Sequence, residues 1–239
     1  MTVSVTPAGQ VVRSVHWGGP VSFIVTDPRD VIQSVHLQGK FHEPEEGEVI
    51  WQWCPPGVIF CDIGANIGNH ALFALKVLRV ARLIAFEPNP AAISLLRENL
   101  ELNGVSGRCD LQHLGLGLSD APSAGFGIKA RRRNLGSGHL VADSGDLAAG
   151  RGDAALGDAA VGFLKIDVEG MEVRVLAGLQ GVIEAHRPVI FVEVDNDNRS
   201  ECSGWLAESG HAVRARHRRY RQKENFLPVS GPLRHRAEA

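Results

Sequence analysis

Apolar residues along this chain occur in short runs that alternate with segments of helical periodicity. Short apolar runs bounded by glycine, proline or acidic residues predict buried strands over residues 58–61, 82–86, 161–167 and 189–194. Between them, apolar residues at helical spacing predict helices over residues 68–80, 90–102 and 171–179. Strands that alternate with helices predict an α/β fold with a parallel, doubly wound sheet.

The flanking regions carry weaker patterns. Before the first core strand, the pattern predicts strands over residues 11–16 and 21–25, a helix over 31–37 and a polar loop over 41–47. We therefore expect residues 1–57 to form a hairpin and a helix that cap the main sheet. After the last core strand, it predicts a helix over 201–210, strands over 212–220 and 225–229, and a tail over 231–239. The main domain then covers residues 58–230.

The middle of the chain loses this regularity. Residues 109–118 predict a third strand and residues 124–128 a short return strand. Residues 129–160 contain few large apolar residues and no clear period, which predicts a long loop beside the mouth of a site.

The most informative stretch lies where the first core strand ends. Asp62 closes the strand, and Gly64, Asn66 and Gly68 follow before helical periodicity resumes. Glycine allows a sharp turn against a ligand, and the helix that follows directs free N–H groups into that turn. An acidic residue here would repel a pyrophosphate, but it suits a ligand that carries positive charge.

A second acidic residue strengthens this interpretation. Glu87 ends the next core strand, nineteen residues after Gly68, and Pro88 follows it. A carboxylate at this position can accept hydrogen bonds from both ribose hydroxyls of a nucleoside. Asp62 and Glu87 together predict a site for S-adenosylmethionine. Alternatively, each could serve only to cap a helix.

Composition and charge narrow the class of protein. The chain has 239 residues, a formal net charge of −2 and four cysteines, none in a C-x-x-C arrangement. Near-balanced charge does not favour a general electrostatic nucleic-acid binder. The sequence contains no run of eighteen apolar residues and no signal-peptide pattern, so we expect a cytoplasmic protein with free thiols and no membrane span.

Three stretches together resemble the FkbM-type methyltransferases, within the Rossmann-like methyltransferase superfamily. They are Phe60-Cys61-Asp62-Ile63-Gly64-Ala65-Asn66-Ile67-Gly68, Ala85-Phe86-Glu87-Pro88 and Leu164-Lys165-Ile166-Asp167-Val168-Glu169-Gly170-Met171-Glu172. The resemblance implies a seven-stranded sheet of order 3-2-1-4-5-7-6 with strand 7 antiparallel. It also implies methyl transfer from S-adenosylmethionine to a hydroxyl of a sugar, glycan or polyketide. The segment 148–160 departs from the family pattern, which puts the acceptor side in question.

Several polar residues are candidates for the chemistry. Asp167 is the first candidate for the base that removes the acceptor proton, followed by Glu169 and then by His139 in the long loop. Asp120 is a candidate for the adenine amino group, with an ordinary turn aspartate as the equal alternative. Asp167 could equally fix its turn or pair with Lys165.

Two further features could bind a ligand, but each also has an explanation that involves none. Oxygen ligands from Asp167, Glu193, Asp195 and Asn196 could bind Mg²⁺, but the resemblance requires no metal and we do not favour one. The arginines at 131–133 and at 214, 216, 218, 219 and 221 suit solvated surfaces better than phosphate or RNA. The leading hypothesis is a transferase that acts on a small-molecule or glycan acceptor. The alternatives are an RNA methyltransferase and a non-catalytic S-adenosylmethionine-binding protein.

Overall fold

The structure is a computed structural model, and it describes residues 1–6, 9–17, 19–131, 133–217 and 223–229. Its N-terminal part is a three-stranded antiparallel sheet followed by two helices. These elements are β1 (Thr2–Thr6), β2 (Gly9–His16), β3 (Gly19–Val25), α1 (Val31–His36) and α2 (Pro44–Trp53).

The polar loop that the sequence predicts over residues 41–47 is wrong, because α2 begins within it. Pro44 occupies the first helical turn, and Glu45 and Glu46 follow it there. Proline and acidic residues both favour the first turn of a helix, so the same polar residues that suggest a loop here begin a helix. Strand β1 was also not predicted.

The main sheet begins with two β-α units. They comprise β4 (Ile59–Ile63), α3 (Asn69–Phe73) with a π-helical continuation (Ala74–Leu78), β5 (Arg82–Phe86) and α4 (Pro90–Leu102). Asn89 caps α4 by accepting a hydrogen bond from the Ala91 N–H at 3.1 Å. These elements confirm the predicted strands and helices of this region.

The third predicted strand is wrong over most of its length. Only β6 (Cys109–Asp110) joins the main sheet, after a 3-10 turn at Ser106–Arg108. The Asp110 side chain accepts a hydrogen bond from the Gln112 N–H, which turns the chain. Gly115 then adopts a φ of +94° and donates its N–H to the Glu87 carbonyl at 2.9 Å. Residues 116–118 therefore leave the main sheet.

A second, four-stranded sheet replaces the long loop expected over residues 129–160. It consists of β7 (Leu116–Leu118), β8 (Ser123–Arg131), β9 (Asn134–Val141) and β10 (Leu147–Gly150), in the order β7-β10-β8-β9, and α5 (Gly152–Leu156) follows it. Backbone pairing does not require large side chains. The glycines and alanines here therefore form strands without producing an apolar period.

The chain then returns to the main sheet. The elements are β11 (Val161–Ile166), α6 (Glu172–Gly178), α7 (Gln180–His186), β12 (Val189–Asp195), a 3-10 turn at Asn196–Asn198, α8 (Arg199–Glu208), β13 (Ala212–His217) and β14 (Lys223–Val229). The predicted strand over 212–220 is present up to His217, and its remaining residues and the predicted tail over 231–239 lie outside the described residues.

The seven strands of the main sheet are ordered β13-β14-β12-β11-β4-β5-β6, and β14 runs antiparallel to β12. Numbered within the sheet, this order reads 3-2-1-4-5-7-6, the order implied by the resemblance. Neighbouring residues of each strand face opposite sides of the sheet. Phe60 stacks on Phe163 at 4.9 Å in one core, while Cys61 and Leu164 belong to the other. Both faces are therefore buried, as in a doubly wound fold.

The N-terminal part is tied to the second sheet by Asp30. Its side chain caps α1 by accepting from the Ile32 and Gln33 N–H groups, and it also accepts from the Leu135 N–H on β9 at 2.9 Å. This contact holds β9 beside the carboxyl end of the main sheet. Within the described part of the chain, no helix is long and apolar enough to cross a membrane.

Candidate functional site

The glycine turn after β4 is built by backbone contacts. Gly64 has a φ of +81°, and the N–H groups of Gly64 and Ala65 donate to the Phe86 carbonyl at 2.9 and 3.0 Å. A Cβ atom at residue 64 would collide with the carbonyl oxygen of Asp167. Only glycine therefore lets the turn lie against the end of β11.

Glu87 lies beside this turn and is held by two backbone donors. One carboxylate oxygen accepts from the Asn66 N–H and the other from the Asn89 N–H, each at 2.8 Å. The residue is 7% exposed, and burial raises the pKa of Glu87 to about 7 although both hydrogen bonds oppose that shift. Each oxygen keeps a lone pair for a further donor. The carboxylate is thus oriented and still able to accept from a ligand.

Asp62 lies behind the turn and has no exposed surface. The ammonium of Lys165 lies 3.4 Å from it, and Lys165 also donates to the Gly64 carbonyl at 3.2 Å. Burial raises the pKa of Asp62, while the neighbouring lysine opposes that shift. The positive partner that the sequence suggested for Asp62 is therefore found within the protein itself, and Asp62 supports the turn from behind.

The first of two adjoining cavities lies between the turn and the second sheet. It is narrow, about 60 Å³. Glu87, Pro88 and Asn89 line one side, and Leu135, Gly136, Gly138 and Leu140 of β9 line the other. Gly64, Asn66, Asp167 and Glu169 also line it. The segment expected to lie beside the mouth of the site does contribute to this wall.

The second cavity is larger, about 520 Å³, and most of the residues that line it are polar or charged. It shares Gly64, Asn66, Gly136, Asp167 and Glu169 with the first cavity. Its remaining wall comes from the N-terminal part, the glycine turn, α3, the start of β9 and the ends of β11 and β12: Val31, Ile32, His42, Glu43, Ala65, Asn69, His70, Asn134, Lys165, Glu193 and Asp195.

Two carboxylates lie where the cavities meet. Asp167 follows β11, its side chain is 29% exposed, and it accepts from Lys165 at 3.3 Å. Glu169 follows with a φ of +47°. The carboxylates beside Lys165 raise its pKa above the ordinary lysine value despite burial, so its ammonium remains charged. The two candidates for the base thus lie at the junction, next to a fixed positive charge.

Among the residues that the structure describes, two groups of side chains have ligand atoms close enough to hold a metal ion. In one, oxygens of Asp167, Glu169 and Glu193 lie within 4.8 Å of one another. Of the other residues considered for Mg²⁺, Asp195 lines the second cavity but is not in this group, and Asn196 lines neither cavity.

The second group is Glu43, Glu46 and His70. Glu43 and Glu46 lie at the start of α2, and His70 lies in α3. Burial raises the pKa of Glu46 to about 8 and lowers that of His70 to about 3. Burial would also raise the pKa of Glu43, but the His42 ring at 3.4 Å outweighs it and holds that pKa near 2. This group therefore combines one ionised carboxylate, one protonated carboxyl and a neutral imidazole at pH 7.

Besides Asp62 and Asn196, three of the expected residues lie outside the walls of both cavities. Asp120 forms an exposed ion pair with Arg174 at 2.8 Å. His139 is exposed on β9, where the alternation of the strand directs it away from Gly138 and Leu140. Gly68, with a φ of +92°, packs against Leu96 before α3 begins.

The arginines also lie outside the cavity walls, as far as they are described. Arg133 is exposed between β8 and β9, and Arg216 lies over the Phe226 ring, 5.1 Å from its centroid. Positions 132, 218, 219 and 221 lie outside the described residues.

Sequence reasoning missed the contribution of the N-terminal part. His42, Glu43, Asn69 and His70 carry no motif, and only the fold brings them to the second cavity. Lys165 was noted as a pairing partner of Asp167, but its contact with Asp62 was not expected. An isolated lysine in an apolar strand run was the available signal, because a buried ammonium needs a partner.

Comparison with known proteins identifies the family. Residues 62–222 match the model of the Methyltransferase FkbM domain. A 31-O-demethyl-FK506 methyltransferase FkbM from Streptomyces tacrolimicus is 31% identical over 52% of this chain and 60% of its own length. A hexuronic acid methyltransferase, AglP, from Haloferax volcanii is 30% identical over 62% of this chain and 56% of its own length. The chain thus spans less than two thirds of either relative.

Among solved structures, a crystal structure of Methyltransferase FkbM from Methylobacillus flagellatus KT aligns with a TM-score of 0.54 and 17% identity. The alignment covers 86% of this chain and 56% of that one. This likeness shows a shared Rossmann-like fold. The match over residues 62–222 shows that the chain belongs to the FkbM methyltransferase family.

Proposed function

We propose that this chain transfers the methyl group of S-adenosylmethionine to a hydroxyl of a small polyhydroxylated acceptor such as a sugar. The main support for this proposal is that Asp167 and Glu169 line both cavities. A donor in the first cavity and an acceptor in the second would meet beside these carboxylates.

The first cavity fits the nucleoside part of this cofactor. Glu87 is held by two amides and can accept the ribose hydroxyls, while Gly64 and Asn66 offer backbone next to it. The cavity is well below the roughly 300 Å³ of small-molecule sites, so we expect Leu135 and Leu140 to shift outward on binding.

The residues at the junction have separate roles in this proposal. When bound, S-adenosylmethionine supplies a methyl carbon that its sulfonium activates for in-line displacement. Asp167 accepts the proton of the attacking hydroxyl, and Lys165 orients that carboxylate by donating to it at 3.3 Å. Glu169 orients the acceptor from the other side of the junction. Positioning of the two reactants supplies much of the remaining rate enhancement.

The charge of the second cavity supports the acceptor class. Among its described lining residues are five carboxylates, Glu43, Asp167, Glu169, Glu193 and Asp195, and one ammonium, Lys165. Carboxylates accept hydrogen bonds from hydroxyl groups and repel an anionic acceptor. A neutral polyol or an amine-bearing sugar therefore suits this cavity better than an apolar polyketide or a uronic acid.

The test combines binding and transfer. Calorimetry should detect S-adenosylmethionine binding, and a cell extract incubated with methyl-labelled cofactor should contain a hydroxylated metabolite that gains the label. The negative control is the Asp167→Asn variant, which should bind the cofactor but transfer no label. Binding of NAD instead of S-adenosylmethionine, or equal labelling with both proteins, would refute the proposal.

A further inference from the structure

A third cavity opens on the far side of the second one. We call it the aromatic slot, and it encloses about 140 Å³. Its walls are mostly apolar and include three aromatic side chains. The lining residues that define it are Trp17, Phe41, Gly47 and Phe73, with His16, Lys40 and Pro44 at its edges.

The aromatic slot is continuous with the wall of the second cavity. Four residues line both spaces: His42, Glu43, Asn69 and His70. Asn69 is fixed there, because it accepts from the His42 N–H at 2.9 Å and donates to the His42 carbonyl at 3.0 Å. These four residues therefore form the boundary between the second cavity and the slot.

Trp17 is the unusual residue of this slot. It occupies the turn between β2 and β3 with a φ of +45°, and 57% of its surface is exposed. Bulky residues avoid this conformation, and two-residue hairpin turns favour asparagine or glycine at such positions. Its ring meets Phe73 edge-on at 5.5 Å. An exposed indole in a strained turn adds little to the fold, which points to a role in binding.

We propose that the aromatic slot is a second subsite for the acceptor, which takes an apolar ring or the C–H face of a sugar ring attached to the methylated group. The inference rests on the proposed function in one respect, since it takes the second cavity as the acceptor site. Polar hydroxyls would face the carboxylates of the second cavity, and the attached ring would pack on Trp17 and Phe73.

Two variants separate binding from folding. Trp17→Asn removes the indole and places a residue that tolerates positive φ, so the turn should keep or gain stability. Gly47→Ala adds a methyl group 3.4 Å from the Phe73 ring and narrows the slot, while alanine favours the helix by about 1 kcal/mol over glycine. The matched control is Val15→Ala, an exposed change on β2 that does not line the slot.

The probe is 4-fluorophenyl β-D-glucopyranoside, observed by its own ¹⁹F resonance, with methyl β-D-glucopyranoside as the analogue that lacks the aryl ring. The aryl glucoside should bind the full chain more tightly than the methyl glucoside. We expect Trp17→Asn to weaken aryl glucoside binding about threefold to tenfold and Gly47→Ala to weaken it about twofold to threefold. Melting temperatures should not fall, and Val15→Ala should leave binding unchanged.

Three results would overturn the inference. These are equal affinity of the two glucosides, undiminished aryl glucoside binding in Trp17→Asn, and no saturable binding to the unaltered chain. The measurement needs neither cofactor nor turnover. Failure of S-adenosylmethionine to bind would therefore refute the proposed function and leave this test intact.

Discussion

The two cavities of the site differ in how the chain builds them. The first cavity takes its key groups from residues 64–89, where consecutive strands end beside one another and backbone amides fix Glu87. The second takes its wall from segments near residues 31, 42, 69, 134, 165 and 193, which only the fold brings together. We infer that local sequence patterns specify most of the first cavity, whereas the second depends on how the fold brings distant segments together.

The largest expected effect lies at the junction of the two cavities. Asp167→Asn keeps the shape of the side chain but removes the proton acceptor, so we expect kcat to fall by about 10²–10⁴-fold. The dissociation constant of S-adenosylmethionine should change little, because Asp62 still pairs with Lys165. Steady-state rates with the identified acceptor, together with calorimetry, check both quantities. A comparable loss of cofactor affinity would place Asp167 in the first cavity rather than at the junction.

The second-largest expected effect concerns the first cavity alone. Glu87→Ala removes the acceptor of two charge-assisted hydrogen bonds, so cofactor affinity should fall by about 10²–10³-fold. Asp120→Asn is the control, because its carboxylate is exposed and paired with Arg174, away from the cavity. Calorimetry with S-adenosylhomocysteine measures both variants. If Asp120→Asn costs as much affinity as Glu87→Ala, the assignment of the nucleoside to this cavity is wrong.

The pH dependence of binding tests the charge of Glu87 directly. Its pKa of about 7 lies above the ordinary value of 4.5, because burial disfavours the ionised form. Ribose hydroxyls donate to the ionised form, so protonation below pH 7 weakens binding. Between pH 8 and pH 6 the affinity should fall about tenfold. Without ligand the sign is opposite: because the pKa of Glu87 is raised in the folded state, the fold loses stability as the pH rises from about 4.5 to about 7 and loses no more above that.

Glu87→Gln provides the control for this pH effect. The amide cannot ionise, so its weaker affinity should vary by less than about twofold over the same range. Calorimetry at four pH values suffices. A profile that persists unchanged in Glu87→Gln would assign the titration to another group, such as Glu46.

The smallest expected effect concerns divalent cations. Asp167, Glu169 and Glu193 are close enough to share an ion, but the Lys165 ammonium already neutralises Asp167. Dialysis against EDTA should therefore change the transfer rate by less than about twofold. Loss of activity that Mg²⁺ restores would contradict this expectation and give the second cavity a metal centre.

The contrast between the cavities also explains what the sequence could predict. Gly64 and Glu87 lie at a fixed spacing around two strand ends, so local patterns predict this part of the first cavity, whereas the strand order was implied by the family resemblance. His42 and Glu43 acquire their place only through the packing of α2 against α3, which no local pattern encodes. The prediction of one strand over residues 109–118 was wrong for a related reason. One hydrogen bond to Asp110 and the turn at Gly115 redirect an otherwise apolar segment.

The central claim is that the nucleoside lies against Glu87 and that the reacting sulfur faces Asp167. A crystal structure of the chain with S-adenosylhomocysteine tests it most directly. We predict both ribose hydroxyls within hydrogen-bond distance of the Glu87 carboxylate and the sulfur directed toward the second cavity. A nucleoside bound elsewhere, or a sulfur directed away from Asp167, would contradict the account.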